Sequence, residues 1–193
     1  FGAARWLQNY GARVRVFVVG KALEAVTGDA AAELAMLQKT DAKVEAIAGE
    51  DDWVVAELAA SKADILVDAL AGTGFHGEPE GDLLRACRLM NDSEKYIVAV
   101  DVPTGVNADN GAVAENAVRA DKTVTMALLK TGLLLYPGRE YCGDIELADI
   151  GMPAKMVEEC ASKKYRLTDD IVRELLPLRK ADAHKGDAGC TVI

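Results

Sequence analysis

With 193 residues, half of them hydrophobic and few aromatic, the chain has material for one domain of ordinary size, or one domain and a piece of another. Its formal net charge of −9 excludes bulk neutralisation of nucleic-acid phosphates. No apolar run is long enough to span a membrane, and no basic segment leading into an apolar one opens the chain, so it reads without a secretory signal.

Residues 1–11, FGAARWLQNYG, read as a helix already under way, with Ala3, Ala4, Leu7 and Tyr10 on one face and Gly11 as its C-cap. Residues 12–19, ARVRVFVV, set arginine between valine and phenylalanine and predict a strand. A helix follows over 30–38, a short strand over 43–48, and a helix over 51–60 with Asp51 or Asp52 near its start. Ile65, Leu66 and Val67 predict a buried strand, and helical spacing returns over 80–90. Further strands are expected at 96–100, 122–129 and 144–150, while 132–136 is apolar but ambiguous. This alternation predicts crossover units and an α/β fold: a three-layer, doubly wound, mostly parallel sheet of Rossmann-like type. After Pro153 the composition changes. Residues 155–164 are polar, Thr168 is an N-cap signal for a helix over 171–176, and 190–193 begin to look like a strand.

Two strand ends stand out. Asp68 ends the strand at 65–67, and the loop Gly72-Thr73-Gly74-Phe75-His76-Gly77 follows, too rich in glycine for an element interior. A glycine loop between strand and helix places backbone N–H groups around an anion. Gly72, Gly74 and Gly77 fit the dinucleotide spacing by the letter, but that fingerprint belongs to the first strand of a sheet, and a plain tight turn explains them as well. Asp101 ends the strand at 96–100 and begins Asp101-Val102-Pro103-Thr104-Gly105, with a hydroxyl three residues on. In a parallel sheet both ends open on one edge, where open α/β sheets bind ligands. Carboxylates and a hydroxyl suit a hard cation better than zinc. His76 reads as a surface histidine, and Lys130 as a solvated lysine within reach of the same edge. Cys87, Cys142, Cys160 and Cys190 match no zinc spacing and read as reduced thiols of a cytoplasmic protein, and two histidines are too few for a histidine-based metal site.

Taken together these motifs resemble the NAD(P)H-hydrate epimerases, the YjeF N-terminal domain family. The resemblance rests on the segment from Asp68 to Gly77, on Asp101 to Gly105, on Thr123 and Thr125 with Lys130, and on residues 143–151. It covers most of residues 1–153. It implies interconversion of the R and S epimers of hydrated NAD(P)H (NADHX and NADPHX), in a homodimer. It also implies roles. Gly72, Thr73, Gly74, Phe75, His76, Gly77 and Glu78 would hold the substrate's phosphates and ring, and Asp101 would contact its reacting end as the first candidate for the catalytic group. Asp68 and Thr104 would bind potassium. Thr104 stands where the family more often has serine, which keeps the hydroxyl. Residues 176–179 and 184–189 resemble the opening of an ADP-dependent hydrate dehydratase domain. The expected organisation is therefore an epimerase domain over 1–153, a linker over 154–164 and the start of a dehydratase domain over 165–193, as in a bifunctional repair enzyme.

The family's Asn-Asn-Gly-Gly-Asp-Gly loop and the strand before it would precede Phe1. Without that first strand the sheet is expected to carry two unpaired edges and to fold poorly by itself. Two rival classes compete: a silent nucleotide-binding or scaffold module of the same fold, and an ordinary NAD-dependent oxidoreductase. The mid-chain position of the glycine loop, with no visible Tyr/Lys or His/Asp pair, speaks against the second.

Overall fold

The computed structural model describes residues 1–159, 164–176 and 182–184. It divides into two units, Phe1–Gly151 and Met152–Ile193. In the first, every strand pairing is parallel, as the alternation of elements predicts. The sheet comes in two pieces. β1 (Arg15–Val18) pairs with β2 (Lys43–Ala46), while β3 (Ile65–Asp68), β4 (Tyr96–Val100), β5 (Lys122–Met126) and β6 (Asp144–Ala148) lie side by side in that order. β1, β2, β3 and β6 each have one neighbour, so the break between the two pieces adds two unpaired edges to the two that any open sheet has, as expected from the sequence.

One α-helix precedes β1 and three fill the crossovers from β1 to β4, while the connections on to β5 and β6 hold loops and 3-10 turns. α1 (Gly2–Asn9) ends where Gly11 takes a φ of +92°. The N–H of Gly11 donates to Gln8 O and that of Ala12 to Leu7 O, both at 3.0 Å, which satisfies carbonyls the helix leaves open. This cap uses up residues 10–12, so the strand predicted from residue 12 begins only at Arg15. α2 (Gly28–Leu37) buries Leu34 and Leu37. α3 (Glu50–Lys62) starts with three acids, and the Asp52 carboxylate accepts from the N–H groups of Ala48 and Gly49. α4 (Gly81–Asp92) buries Ala86 and Cys87.

Three apolar clusters hold these elements. Trp53 and Ala56 of α3 pack with Ile47 and Ala86, and Phe17, Val19 and Leu70 join them, so this cluster links β1 to the helices and to the loop after β3. Ile97 and Ala99 of β4 pack on Cys87, Val118 and Ala120. Leu133, Val102, Val106 and Cys142 form the third beside the strand ends. Fully burying a side chain such as Leu133 contributes roughly 1.5–3 kcal/mol. Cys87 and Cys142 are buried free thiols, and burial pushes them up to about 12 and about 11. Cys160 and Cys190 lie outside the described residues.

β5 is shorter than its apolar run because Ala127 turns left-handed at φ +62°. The ambiguous 132–136 segment is met by a 3-10 turn over Thr131–Leu133. In the second unit, α5 (Ala154–Glu159) occupies the polar stretch, and α6 (Asp169–Leu175) starts under the Thr168 cap, whose hydroxyl accepts from Ile171 N. The strand expected at 190–193 falls outside the described residues. No helix among the described residues is long and apolar enough to cross a membrane.

Candidate functional site at the carboxyl ends of β3, β4 and β5

Asp68 is the last residue of β3 and is 1% exposed. Its Oδ2 accepts from Thr104 N at 2.7 Å; its Oδ1 accepts from Thr104 Oγ1 at 2.7 Å and from Leu70 N at 3.2 Å. No cation pairs with it among the described residues. Burial raises its pKa above the ordinary 3.8, against the pull of those hydrogen bonds. Thr104 is fixed from both sides, because its carbonyl accepts from Val118 N while its amide reaches Asp68. Its hydroxyl lies 2.7 Å from Asp68 Oδ1 and 3.3 Å from Ala71 O, and it has one proton for both. Whichever acceptor receives that proton, oxygen lone pairs still converge there. Such an all-oxygen set, around a buried carboxylate without a cation, fits a hard monovalent or divalent ion. Among the described residues no three His, Cys, Asp or Glu side chains gather as a transition metal would need.

The glycine loop leaves β3 next to this point. Phe75 N donates to Gly72 O at 3.0 Å and closes a turn through Thr73 and Gly74; Gly77 follows at φ +95°. Among the described residues the N–H groups of Gly74, His76 and Gly77 donate to no protein acceptor, which leaves them for an anion or water. Phe75 to Glu78 form one wall of an open cleft, and Gly105, Val106 and Asn107 the other. His76 Nδ1 lies 3.3 Å from Asn107 Nδ2 across it, and Glu78 Oε2 accepts from Glu115 N at 2.9 Å. The cleft's volume of about 160 Å³ is below the roughly 300–1,000 Å³ of sites that enclose a whole small molecule, so it has room for only part of one. Gly105 is required here: at φ +92°, a Cβ would sit 2.7 Å from that of Ala117.

Asp101 follows β4 and adopts φ +71°, a conformation that costs a non-glycine residue about 1–3 kcal/mol. Its N–H continues the ladder to Val124 O at 2.8 Å. Its carboxylate turns toward β5. Oδ1 accepts from Met126 N at 3.2 Å, from Thr125 Oγ1 at 3.3 Å and from Lys130 Nζ. Lys130 is therefore not the solvated lysine its sequence context suggests. It is ion-paired with Asp101, and both side chains are 20% exposed.

The sequence profile described as YjeF-related protein N-terminus matches residues 1–132. The chain belongs to the YjeF N-terminal family. The chain is also 39% identical over 183 residues to a protein from Moorella thermoacetica named bifunctional NAD(P)H-hydrate repair enzyme Nnr, covering 95% of this chain and 34% of that protein. It is 43% identical over 99 residues to a Pirellula staleyi protein named NAD(P)H-hydrate epimerase, covering 51% of this chain and 44% of that one. The chain thus spans about a third of the length of the bifunctional relatives it matches. The crystal structure of yeast YNL200c has the same fold, with a TM-score of 0.63 at 21% identity, covering 86% of this chain and 68% of the yeast one.

In this YjeF N-terminal chain the candidate residues fall into three groups on one sheet edge. Asp68 and Thr104 are bonded to one another. Phe75, His76, Gly77 and Glu78 line the cleft, whereas Gly72, Thr73 and Gly74 form the exposed turn before it. Asp101 is bonded not to either group but to β5 and the segment behind it. One residue escapes sequence reasoning, and so does one pairing. Asn107 carries no motif of its own. Lys130 is 29 residues from Asp101, and only its place after a strand hints at the pairing.

Proposed function

We propose that this chain is the epimerase part of a bifunctional nicotinamide-nucleotide repair enzyme, interconverting the R and S forms of hydrated NADH and NADPH. Asp101 carries the reading. It is a strained, ion-paired carboxylate at a ligand-binding edge, in a chain whose relatives are named for this substrate. Loss of the ring hydroxyl as water leaves a cationic ring, and water returning to the opposite face gives the other epimer. A carboxyl group beside the ring can give a proton to the departing hydroxyl and take one from the incoming water. Fixed negative charge also favours the cationic ring. The open N–H groups of the glycine loop suit the substrate's phosphates, with Phe75 and Glu78 on the wall where the rest of it lies.

Asp68, Thr104 and Ala71 O fit potassium, and a bound ion would balance the buried carboxylate. The same reading makes the protein a cytoplasmic homodimer. It places the epimerase domain over 1–153, a linker over 154–164 and the beginning of the dehydratase domain over 165–193.

The test follows the two NADPH hydrate epimers by chromatography with the full-length protein, with and without potassium. Wild type accelerates their exchange, and Asp101→Asn slows it by about 10²–10⁴-fold. Hydrate that binds without exchanging would favour a silent nucleotide-binding module instead.

A further inference from the structure

Asp101 has two carboxylate oxygens, and its surroundings treat them differently. All three donors, Met126 N, Thr125 Oγ1 and Lys130 Nζ, converge on Oδ1. Among the described residues no donor reaches Oδ2. Two of the three are delivered by β5 itself. The third arrives by a longer route. After Met126 the chain turns left-handed at Ala127, Leu128 N folds back onto Met126 O at 2.7 Å, and Lys130 reaches forward again. Its ammonium is pinned a second time, by Met126 O at 2.8 Å. A non-glycine residue held left-handed at the end of each of two neighbouring strands is an unusual expenditure of backbone strain, and it persists only where the surroundings over-determine it. Here the result is one carboxylate oxygen clamped by an immobilised cation and the other left open.

From this we propose that Lys130 is a positioning residue for the epimerisation, resting on the functional reading above. It fixes Asp101 Oδ1 so that Oδ2 meets the substrate. Lys130 does not itself touch the substrate, and its effect belongs to the chemical step rather than to binding. A plain structural tie would act otherwise: its loss would appear in the melting temperature and leave the kcat of the folded protein unchanged. A misplacement of the reacting group by about 1 Å can cost on the order of 100-fold in rate.

The experiment uses the full-length protein with NADPH hydrate epimers. Lys130→Met keeps the length of the side chain and removes its charge. The expected result is a kcat lower by on the order of 100-fold, with KM and melting temperature at wild-type values, and recovery of most of that loss in Lys130→Arg. A wild-type kcat in Lys130→Met, or a loss that appears wholly in KM, overturns the inference. If Lys130→Met does not fold, Lys130→Gln replaces it, with the same two readings. A wild type that does not exchange the epimers overturns the functional reading itself, and this inference with it.

Discussion

Two aspartates stand at the carboxyl ends of neighbouring strands, and their surroundings are opposite. Asp68 is 1% exposed, has no cation partner among the described residues, and spends both oxygens on Thr104 and Leu70. Asp101 is partly exposed, paired with Lys130, and has one oxygen open. The first is embedded in the structure and ties two loops together. The second is held by the structure in a conformation its own backbone disfavours. Two carboxylates placed in such different environments can serve different ends on one site edge, one holding an ion and the other handling a proton.

The comparison makes its largest prediction for Asp101→Gly. Glycine accepts φ +71° without penalty, which offsets the lost ion pair and hydrogen bonds. Stability measured by urea unfolding should stay within about 1 kcal/mol of wild type, while epimer exchange falls by about 10²–10⁴-fold. A large fall in stability would show that Asp101, like Asp68, serves mainly to hold the fold.

Asp68→Ala should behave in the opposite way. It strands the buried N–H of Thr104, together with a hydroxyl and the Leu70 N–H that all pointed at the carboxylate. One unsatisfied buried donor costs about 1–3 kcal/mol, so the loss in urea unfolding should be about 2–4 kcal/mol. An Asp68→Ala variant as stable as wild type would remove the contrast between the two residues.

Much of this contrast can be traced in the sequence, and some of it cannot. The parallel, doubly wound fold follows from strand and helix alternating through most of the first unit. The motif Asp101-Val102-Pro103-Thr104-Gly105 puts a hydroxyl three residues after Asp101, and only the resemblance sets it beside Asp68, where the structure has it. Element ends were less legible, because they depend on backbone turns. The strand over 122–129 stops at Met126 since Ala127 is left-handed, and nothing in an alanine signals that. The same turn brings Lys130 onto Asp101, so a lysine that looks solvated by its neighbours in sequence is tied down by its neighbours in space. Asn107 faces His76 only because two loops from different strands meet.

Thr104 sharpens the comparison from the other side. Thr104→Val deletes the hydroxyl that reaches Asp68 and accepts from Ala71 N, and should cost about 1–3 kcal/mol. Thr104→Ser keeps that oxygen and should lie within about 1 kcal/mol of wild type by the same measurement. Equal losses in the two would mean that the methyl group in the core matters and the hydroxyl does not.

The smallest expected effect is the most specific to a cation at Asp68. Its pKa is raised in the folded protein by burial, so the folded state holds that proton more tightly than the unfolded chain does. The part of the stability that comes from this tighter proton binding is therefore fully present below the ordinary value of 3.8 and is lost as pH rises through the raised folded value. A cation coordinated at Asp68 favours the charged carboxylate and counters that loss. Urea unfolding in potassium chloride and in tetramethylammonium chloride at equal ionic strength should then agree at the acid end and separate as pH rises. At ten times its dissociation constant the bound ion would add about 1.4 kcal/mol. Asp68→Asn, which cannot ionise, should erase the pH dependence of that difference. Identical stability of wild type in the two salts at every pH would mean that the converging oxygens of Asp68, Thr104 and Ala71 are a hydrogen-bonded joint and hold no ion.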